Sequence, residues 1–306
     1  MNYDLLIIGA GPAGLAASIY ASRYKIRHAV LGELPGGLML EAHKICNFPT
    51  ETEISGFDLA MKMRAHVDSF GTESIMEKVT VVEKNNDLFT VKTINGKELT
   101  AKTILIATGT VHRHLDLPDE NRFVGHGISY CATCDAMFYK NKTVAVAGSG
   151  NSALTAALHL AEVAEKVYLI VRSDRFKGEA VWVDSVKNNP KIEVIFNTSI
   201  VGLAGVEKLE TIKLSQMYND SDVLSVSGLF VEVGSKPDLS WFNGLNLDLN
   251  EAGYIKVSAD QSTNQAGVWA AGDITDASGG LRQIITACAE GAVAAAGIFQ
   301  YLQQSK

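Results

Sequence analysis

Cys131-Ala132-Thr133-Cys134 is followed directly by Asp135. Two residues between cysteines let both sulfurs meet across one helical turn or tight loop. That geometry supports a reversible disulfide and lowers the pKa of one thiol. The same spacing could supply half of a zinc site, but zinc needs a second pair of ligands. The remaining cysteines, Cys46 and Cys288, are single and distant, so no metal is expected. They read as small buried apolar residues. Asp135 stands where it could relay a proton to or from a thiolate, or simply cap a helix. His112, His114 and His126 lie nearby in sequence with no acid assigned to them, and read as structural or solvated.

Two glycine-rich strings flank this pair. Gly9-Ala10-Gly11-Pro12-Ala13-Gly14 follows the apolar run Leu5-Leu6-Ile7-Ile8 and opens an Ala-rich stretch. In such a strand–turn–helix, the first glycine makes the turn, the second admits a pyrophosphate, and the third lets helix and strand pack closely. The phosphates then meet the positive end of the helix. Glu33, at the end of the expected strand His28–Gly32, stands where a carboxylate accepts a ribose hydroxyl. The second string, Gly148-Ser149-Gly150-Asn151-Ser152-Ala153, has the same context, with Ala as an accepted third residue. An acid at Val171 would favour NAD. Instead Arg172, Arg175 and Lys177 are available to meet a 2′-phosphate.

The elements that must carry these strings repeat. A βαβ unit at the N-terminus leads into alternating strands from about residue 75 to 107, with a hairpin signal at Asn95-Gly96. A helix is expected from about Gly56 to Phe70. A second βαβ unit uses Thr143–Ala147, Ser152–Ala164 and Val167–Val171. Further alternating strands are expected at Ile192–Phe196, Leu209–Leu214 and Leu229–Val233. The last segment holds the strand Val268–Ala271, Gly272-Asp273 and a helix from about Leu281 to Tyr301. The expected fold is α/β, with two Rossmann-like (three-layer ββα) dinucleotide-binding domains, the second inserted into the first. The first domain takes 1–113 and 240–306, the second 114–239.

The composition agrees: 306 residues, 47% hydrophobic and 20% charged, enough for two cores. A net charge of −7 without a basic stripe argues against nucleic acid. No apolar run is read as reaching the about 20 residues that span a bilayer, so no membrane association is expected. The first residues lack a basic n-region, and the expected location is the cytoplasm.

Taken together, the chain resembles the low-molecular-weight thioredoxin reductases, FAD-dependent pyridine nucleotide–disulfide oxidoreductases, over essentially its whole length. The resemblance rests on Gly9–Gly14, Gly36-Gly37 with Asn47-Phe48-Pro49, Ala107-Thr108-Gly109, Cys131–Asp135, Gly148–Ala153, Ala271-Gly272-Asp273 and Arg282-Gln283. It implies a homodimer with FAD in the first domain, lined by Gly37, Asn47, Thr108, Asp273, Arg282 and Gln283. Asp273 would hold the ribityl chain. It also implies NADPH in the inserted domain, a Cys131–Cys134 redox disulfide, and thioredoxin as the protein reduced. The departure is the H-R-R-x-x-x-R stretch of NADPH-using members. Here Val171-Arg172-Ser173-Asp174-Arg175-Phe176-Lys177 keeps Arg172 and replaces the last arginine by Lys177, a poorer planar donor to phosphate. NADH, ferredoxin as electron donor, or a dithiol oxidase using oxygen are therefore alternatives.

Overall fold

The computed structural model describes residues 2–304. It divides into two compact units. One is His112–Lys236, and the other comprises the flanking segments up to Val111 and from Pro237 onward.

The flanking unit begins with β1 (Asn2–Ile8), α1 (Pro12–Arg23) and β2 (His28–Leu31). Then follow α2 (Gly56–Asp68), β3 (Glu73–Ile75), β4 (Val79–Asn85), β5 (Leu88–Thr93) and β6 (Glu98–Ile106). The sheet runs β3-β2-β1-β6-β5-β4, and the late strand Val268–Ala270 also pairs with β6. Pairings among β3, β2, β1 and β6 are parallel, while β4–β5–β6 form an antiparallel meander. Side chains alternate across β1. Leu5 and Ile7 pack with Ala13, Ala17 and Ala21 of α1 and with Ala287, Ala294, Ala295 and Ile298 of the helix Ile284–Gln304. Leu6 and Ile8 pack on the other face, toward Val82, Phe89 and Val91 of the meander. Each fully buried Leu or Ile contributes on the order of 1.5–3 kcal/mol, so a one-residue slip of β1 would exchange both faces at once.

The helix Ile284–Gln304 has the length and apolarity of a membrane span, which the sequence reading did not credit. Its small-residue face lies in the core against α1. Contact is so close that a Cβ on Gly291 would meet the Ala13 carbonyl oxygen at 2.1 Å.

The inserted unit repeats the plan. Its parallel sheet runs Ile192–Ile195, Lys166–Ile170, Thr143–Ala147, Gly228–Val231, Ile128–Ser129. The helix Asn151–Val163 covers one face, through Ala153, Leu154, Ala157 and Leu160. An antiparallel meander, Ile200–Ala204, Thr211–Tyr218 and Ser221–Ser225, covers the other. Two expectations need correction. Ile192–Ile195 and Gly228–Val231 belong to the parallel sheet and not to the meander. For Ile192–Ile195 the cause is an unanticipated helix, Ala180–Lys187, which supplies the crossover a parallel neighbour requires; for Gly228–Val231 the meander itself makes the return to the parallel sheet.

Candidate active site

In the flanking unit, Gly9 and Gly11 do different work. Gly9 has φ +119°, and a Cβ there would lie 2.1 Å from the Ala107 carbonyl oxygen. Fold geometry alone therefore demands glycine. Gly11 has an ordinary φ of −79°, and a Cβ there would meet nothing nearer than the Gly36 carbonyl oxygen at 4.0 Å. Nothing in the protein requires glycine at 11, and its absent side chain leaves the backbone open to the cleft. Gly14 lies beneath, where a Cβ would be 1.9 Å from the Gly9 carbonyl oxygen. α1 starts with no side-chain cap and no acid in its first turn, whereas α2 is capped by Ser55. Its free N–H groups and dipole remain available to an anion.

These residues open onto a cleft of about 500 Å³, within the range of cofactor sites. Of the residues expected at FAD, Gly9, Gly11, Pro12, Ala13, Glu33, Gly37, Thr108, Gly109, Gly272, Asp273, Arg282 and Gln283 line it. Asn47 does not, but its Nδ2 donates to Gln283 Oε1 at 2.9 Å. The residues present fit a dinucleotide such as FAD on a further ground. Thr108 Oγ1, Thr110 Oγ1 and Arg282 Nε are buried with no hydrogen-bond partner among the described residues, and all three residues line the cleft. Buried polar atoms left unpaired cost free energy, and a polar ligand would satisfy them.

At the floor, burial pushes the Asp273 carboxyl above its ordinary value; Arg282 opposes the shift and Glu290 adds to it. The Arg282 guanidinium lies 3.9 Å over the Tyr254 ring, a cation–π contact. Sequence reasoning missed Glu290. It is only 7% exposed, and it accepts the Gly272 N–H at 2.7 Å, the Thr275 hydroxyl at 3.1 Å and the Ser278 hydroxyl at 2.5 Å. It holds the turn that carries Asp273. Lys78, Asp238 and Trp241 also line the cleft unannounced, brought there by β4 and the returning chain.

The second fingerprint repeats the logic. Gly148 has φ +151°, with a would-be Cβ 2.3 Å from the Glu232 carbonyl oxygen; at Gly150 nothing lies within 4 Å. The helix Asn151–Val163 begins without a side-chain cap or first-turn acid. Ala153 is buried beneath the turn and Ser152 is exposed. Asn151 turns its amide to Glu179, accepting that residue's N–H at 2.8 Å and donating to its carboxylate at 2.9 Å. Val171 proves fully buried in the core, so it is not the position that would meet a ribose. Glu33 follows Gly9 by 24 residues, and Arg172 follows Gly148 by the same 24 (33 − 9 and 172 − 148). Arg172 thus takes the acid's place, exposed, as are Arg175 and Lys177. The Lys177 and Gly178 N–H groups fold this loop back onto the Ser149 carbonyl.

Cys131 and Cys134 form a disulfide, with Cα atoms 5.3 Å apart. The short helix Ala132–Asp135 begins there, and the Cys134 N–H donates to Cys131 Sγ at 3.1 Å. Cys131 is half-buried and Cys134 exposed. Asp135 ends the helix and is half-buried. Met137 and Phe138 follow at 68% and 72% exposure. His114 corrects an expectation: its Nδ1 lies 3.8 Å from Glu120 Oε1 and 2.7 Å from the Tyr130 hydroxyl. The acid was invisible because it lies six residues on, at the start of the short helix Glu120–Phe123. His112 stacks on Tyr130. Of the other cysteines, Cys288 is half-buried, and burial pushes its thiol up to about 11, as befits an inert residue. Cys46 is exposed, contrary to expectation: Ile45 takes the inward position and bridges Ile54.

An open dinucleotide cradle on one α/β unit, with a second cradle and a vicinal disulfide on another, defines a two-nucleotide disulfide oxidoreductase. Residues 3–291 match the family model of pyridine nucleotide-disulphide oxidoreductases. The chain is 35% identical to a thioredoxin reductase of Peptoclostridium acidaminophilum, covering 98% of this chain and 97% of that one. The solved thioredoxin reductase of Lactococcus lactis superposes with a TM-score of 0.93, at 31% identity over 99% of both chains. A ferredoxin-flavin thioredoxin reductase from Clostridium acetobutylicum gives a TM-score of 0.54, also at 31% identity over 99% of both. The chain belongs to the pyridine nucleotide-disulphide oxidoreductases, and within them to the low-molecular-weight thioredoxin reductase family. Membership implies FAD and a nicotinamide nucleotide as cofactors.

Proposed function

We propose that this chain is an FAD-dependent thioredoxin-disulfide reductase, taking two electrons from NADPH and delivering them through Cys131–Cys134 to a thioredoxin-like protein. The observation that carries the reading is the Cys131–Cys134 disulfide, with one sulfur exposed, in the unit that also holds the second nucleotide cradle. Bound FAD would supply the two-electron relay between nucleotide and sulfur.

The chain's own residues do the rest. Gly9, Gly11, Pro12, Ala13 and Gly14 seat the pyrophosphate, Glu33 accepts a ribose hydroxyl, and Gly37, Asn47, Thr108, Gly109, Gly272, Asp273, Arg282 and Gln283 surround the remainder of FAD. Gly148, Gly150, Asn151, Ser152 and Ala153 seat the nicotinamide nucleotide. Arg172, standing where Glu33 stands in the other unit, with Lys177, favours a 2′-phosphate over a bare hydroxyl. The disulfide gains two electrons and two protons to become two thiols. Cys134, the exposed sulfur, attacks the partner disulfide as a thiolate. Cys131 then displaces the partner sulfur, so the original disulfide re-forms and the partner leaves as a dithiol. Asp135 handles the proton that the attacking thiol releases. The exposed Met137 and Phe138 beside Cys134 suit a protein surface better than a small disulfide. A cytoplasmic homodimer is the setting of this reading.

A ferredoxin-fed cycle is the second reading. It is favoured by the missing arginines after Arg172 and by the likeness to the Clostridium acetobutylicum enzyme. Anaerobic mixing of the flavin-loaded chain with NADPH, NADH or reduced ferredoxin separates them. NADPH is expected to bleach the flavin and release two thiols, with Arg172→Glu reversing the preference toward NADH. Reduction by ferredoxin alone overturns the NADPH assignment.

A further inference from the structure

The residue before the disulfide is anchored at the tip of its side chain. The Tyr130 hydroxyl is 2.7 Å from Glu120 Oε1 and 2.7 Å from His114 Nδ1. Glu120 is 3% exposed and also accepts the Leu115 N–H at 2.9 Å and the Leu117 N–H at 3.4 Å. Hydrogen counting fixes the directions. A carboxylate only accepts, so the tyrosine proton points to Glu120. The tyrosine oxygen must then accept from His114, whose Nδ1 carries a hydrogen.

This arrangement cannot pass protons to the sulfurs. Burial, the hydrogen bond to Glu120 and that residue's charge all raise the Tyr130 pKa above its ordinary value, so the phenol stays protonated. Its use is geometric. The backbone of the redox pair, joined to Tyr130 through the chain, is held by bonds of its own. The Cys131 N–H donates to Ser129 Oγ at 3.1 Å, and the Ser129 hydroxyl donates to the Cys131 carbonyl at 3.2 Å. That carbonyl also accepts the Asp135 N–H at 3.2 Å. On the far side, the neighbouring Arg113 N–H and Nε are tied to the Gly234 and Ser235 carbonyls, each at 2.9 Å.

We propose that Tyr130 is a positioning residue of the redox pair: held by Glu120 and His114, it confines the Cys131 backbone so that the two thiols of the reduced loop stay within reach of each other. This deepens the reading of Cys131–Cys134 as a redox couple and rests on it. A confined dithiol closes at small entropic cost, and a loosened one prefers to stay open. Releasing the anchor therefore favours the dithiol.

The test equilibrates flavin-loaded full-length protein with mixtures of oxidised and reduced dithiothreitol. The Cys131/Cys134 thiol fraction is then read by alkylation and mass spectrometry, with no turnover required. Tyr130→Phe keeps the ring packing and is expected to shift the exchange constant roughly three- to tenfold toward the dithiol, about 15–30 mV, the upper figure being the whole of one hydrogen bond to a charged group acting on the oxidised state alone. His114→Leu should shift it the same way. His114→Gln, which restores an N–H donor, should stay within twofold of wild type. A wild-type pair that titrates while Tyr130→Phe stays within twofold of it overturns this inference alone. If Tyr130→Phe does not fold, an unshifted His114→Leu overturns it equally. A wild-type pair that never titrates overturns the redox reading itself, and this inference with it.

Discussion

Glu290 Oε2 accepts the Gly272 N–H at 2.7 Å across 18 residues of sequence, and so fixes the strand end from which Asp273 enters the cleft. Replacing Glu290 with Ala would orphan the buried Gly272 N–H, while the Thr275 hydroxyl keeps the Gly272 carbonyl at 3.0 Å and the exposed Ser278 hydroxyl turns to solvent. Leaving buried donors unmet costs about 1–3 kcal/mol. Glu290→Ala is expected to lower the thermal midpoint and to purify with less than stoichiometric flavin. A variant as yellow and as stable as wild type would remove Glu290 from the site.

The two open glycines separate the cradles. At Gly11 a Cβ meets nothing beyond its chain neighbours nearer than the Gly36 carbonyl oxygen at 4.0 Å, so the bulk of Gly11→Val is expected to crowd a ligand in the cleft. Overpacking of about 1–3 kcal/mol translates into roughly ten- to hundredfold weaker FAD, with apoprotein stability little changed. Gly150→Val should instead retain FAD and weaken the nicotinamide nucleotide by a similar factor. Isothermal titration of each variant with each nucleotide checks the pattern. A Gly11→Val protein that binds FAD normally would mean the pyrophosphate lies elsewhere.

On the proposed reading the exposed Cys134 is the attacking sulfur. Cys131→Ser leaves the exposed Cys134 and should trap a partner thioredoxin as a stable mixed disulfide, visible on a non-reducing gel. Cys134→Ser should trap far less, because Cys131 is half-buried. Both should bind flavin and lose turnover. The reverse trapping order would exchange the two roles.

His28 predicts a pH dependence of stability. Burial lowers its pKa in the folded chain from 6.5, where Ser18 Oγ and the Ile26 carbonyl hold the ring, each at 2.9 Å. The unfolded chain therefore binds a proton first. The stability this neutral histidine contributes is complete above about pH 6.5 and declines as pH falls from there through the lowered folded value. Urea midpoints at pH 7.5 and 5.5 should differ more for wild type than for His28→Gln. Equal differences would acquit His28.

Much of this was legible in the chain itself. The fingerprints, the C-x-x-C pair and the apolar runs are local patterns, and each carries its geometry with it: a turn needs glycine, a buried strand needs continuous apolar residues. The inserted unit was less legible. The helix Ala180–Lys187 is short and follows a charged loop, so its periodicity is weak, and without it Ile192–Ile195 reads as meander. Cys46 turned outward because the neighbouring Ile45 took the inward face of its bridge.

By its sequence alone, the chain commits to two dinucleotide cradles and a redox disulfide, because those depend on residue spacing over a single strand, turn and helix. Folding in three dimensions decided what supports them: Glu290 under Gly272, Glu120 behind Tyr130, and Val171 turned into the core with Arg172 left exposed. Those relationships depend on which side chains point inward and which distant segments meet, and burial of an acid or an apolar face is a property of the packed layers that no local pattern encodes.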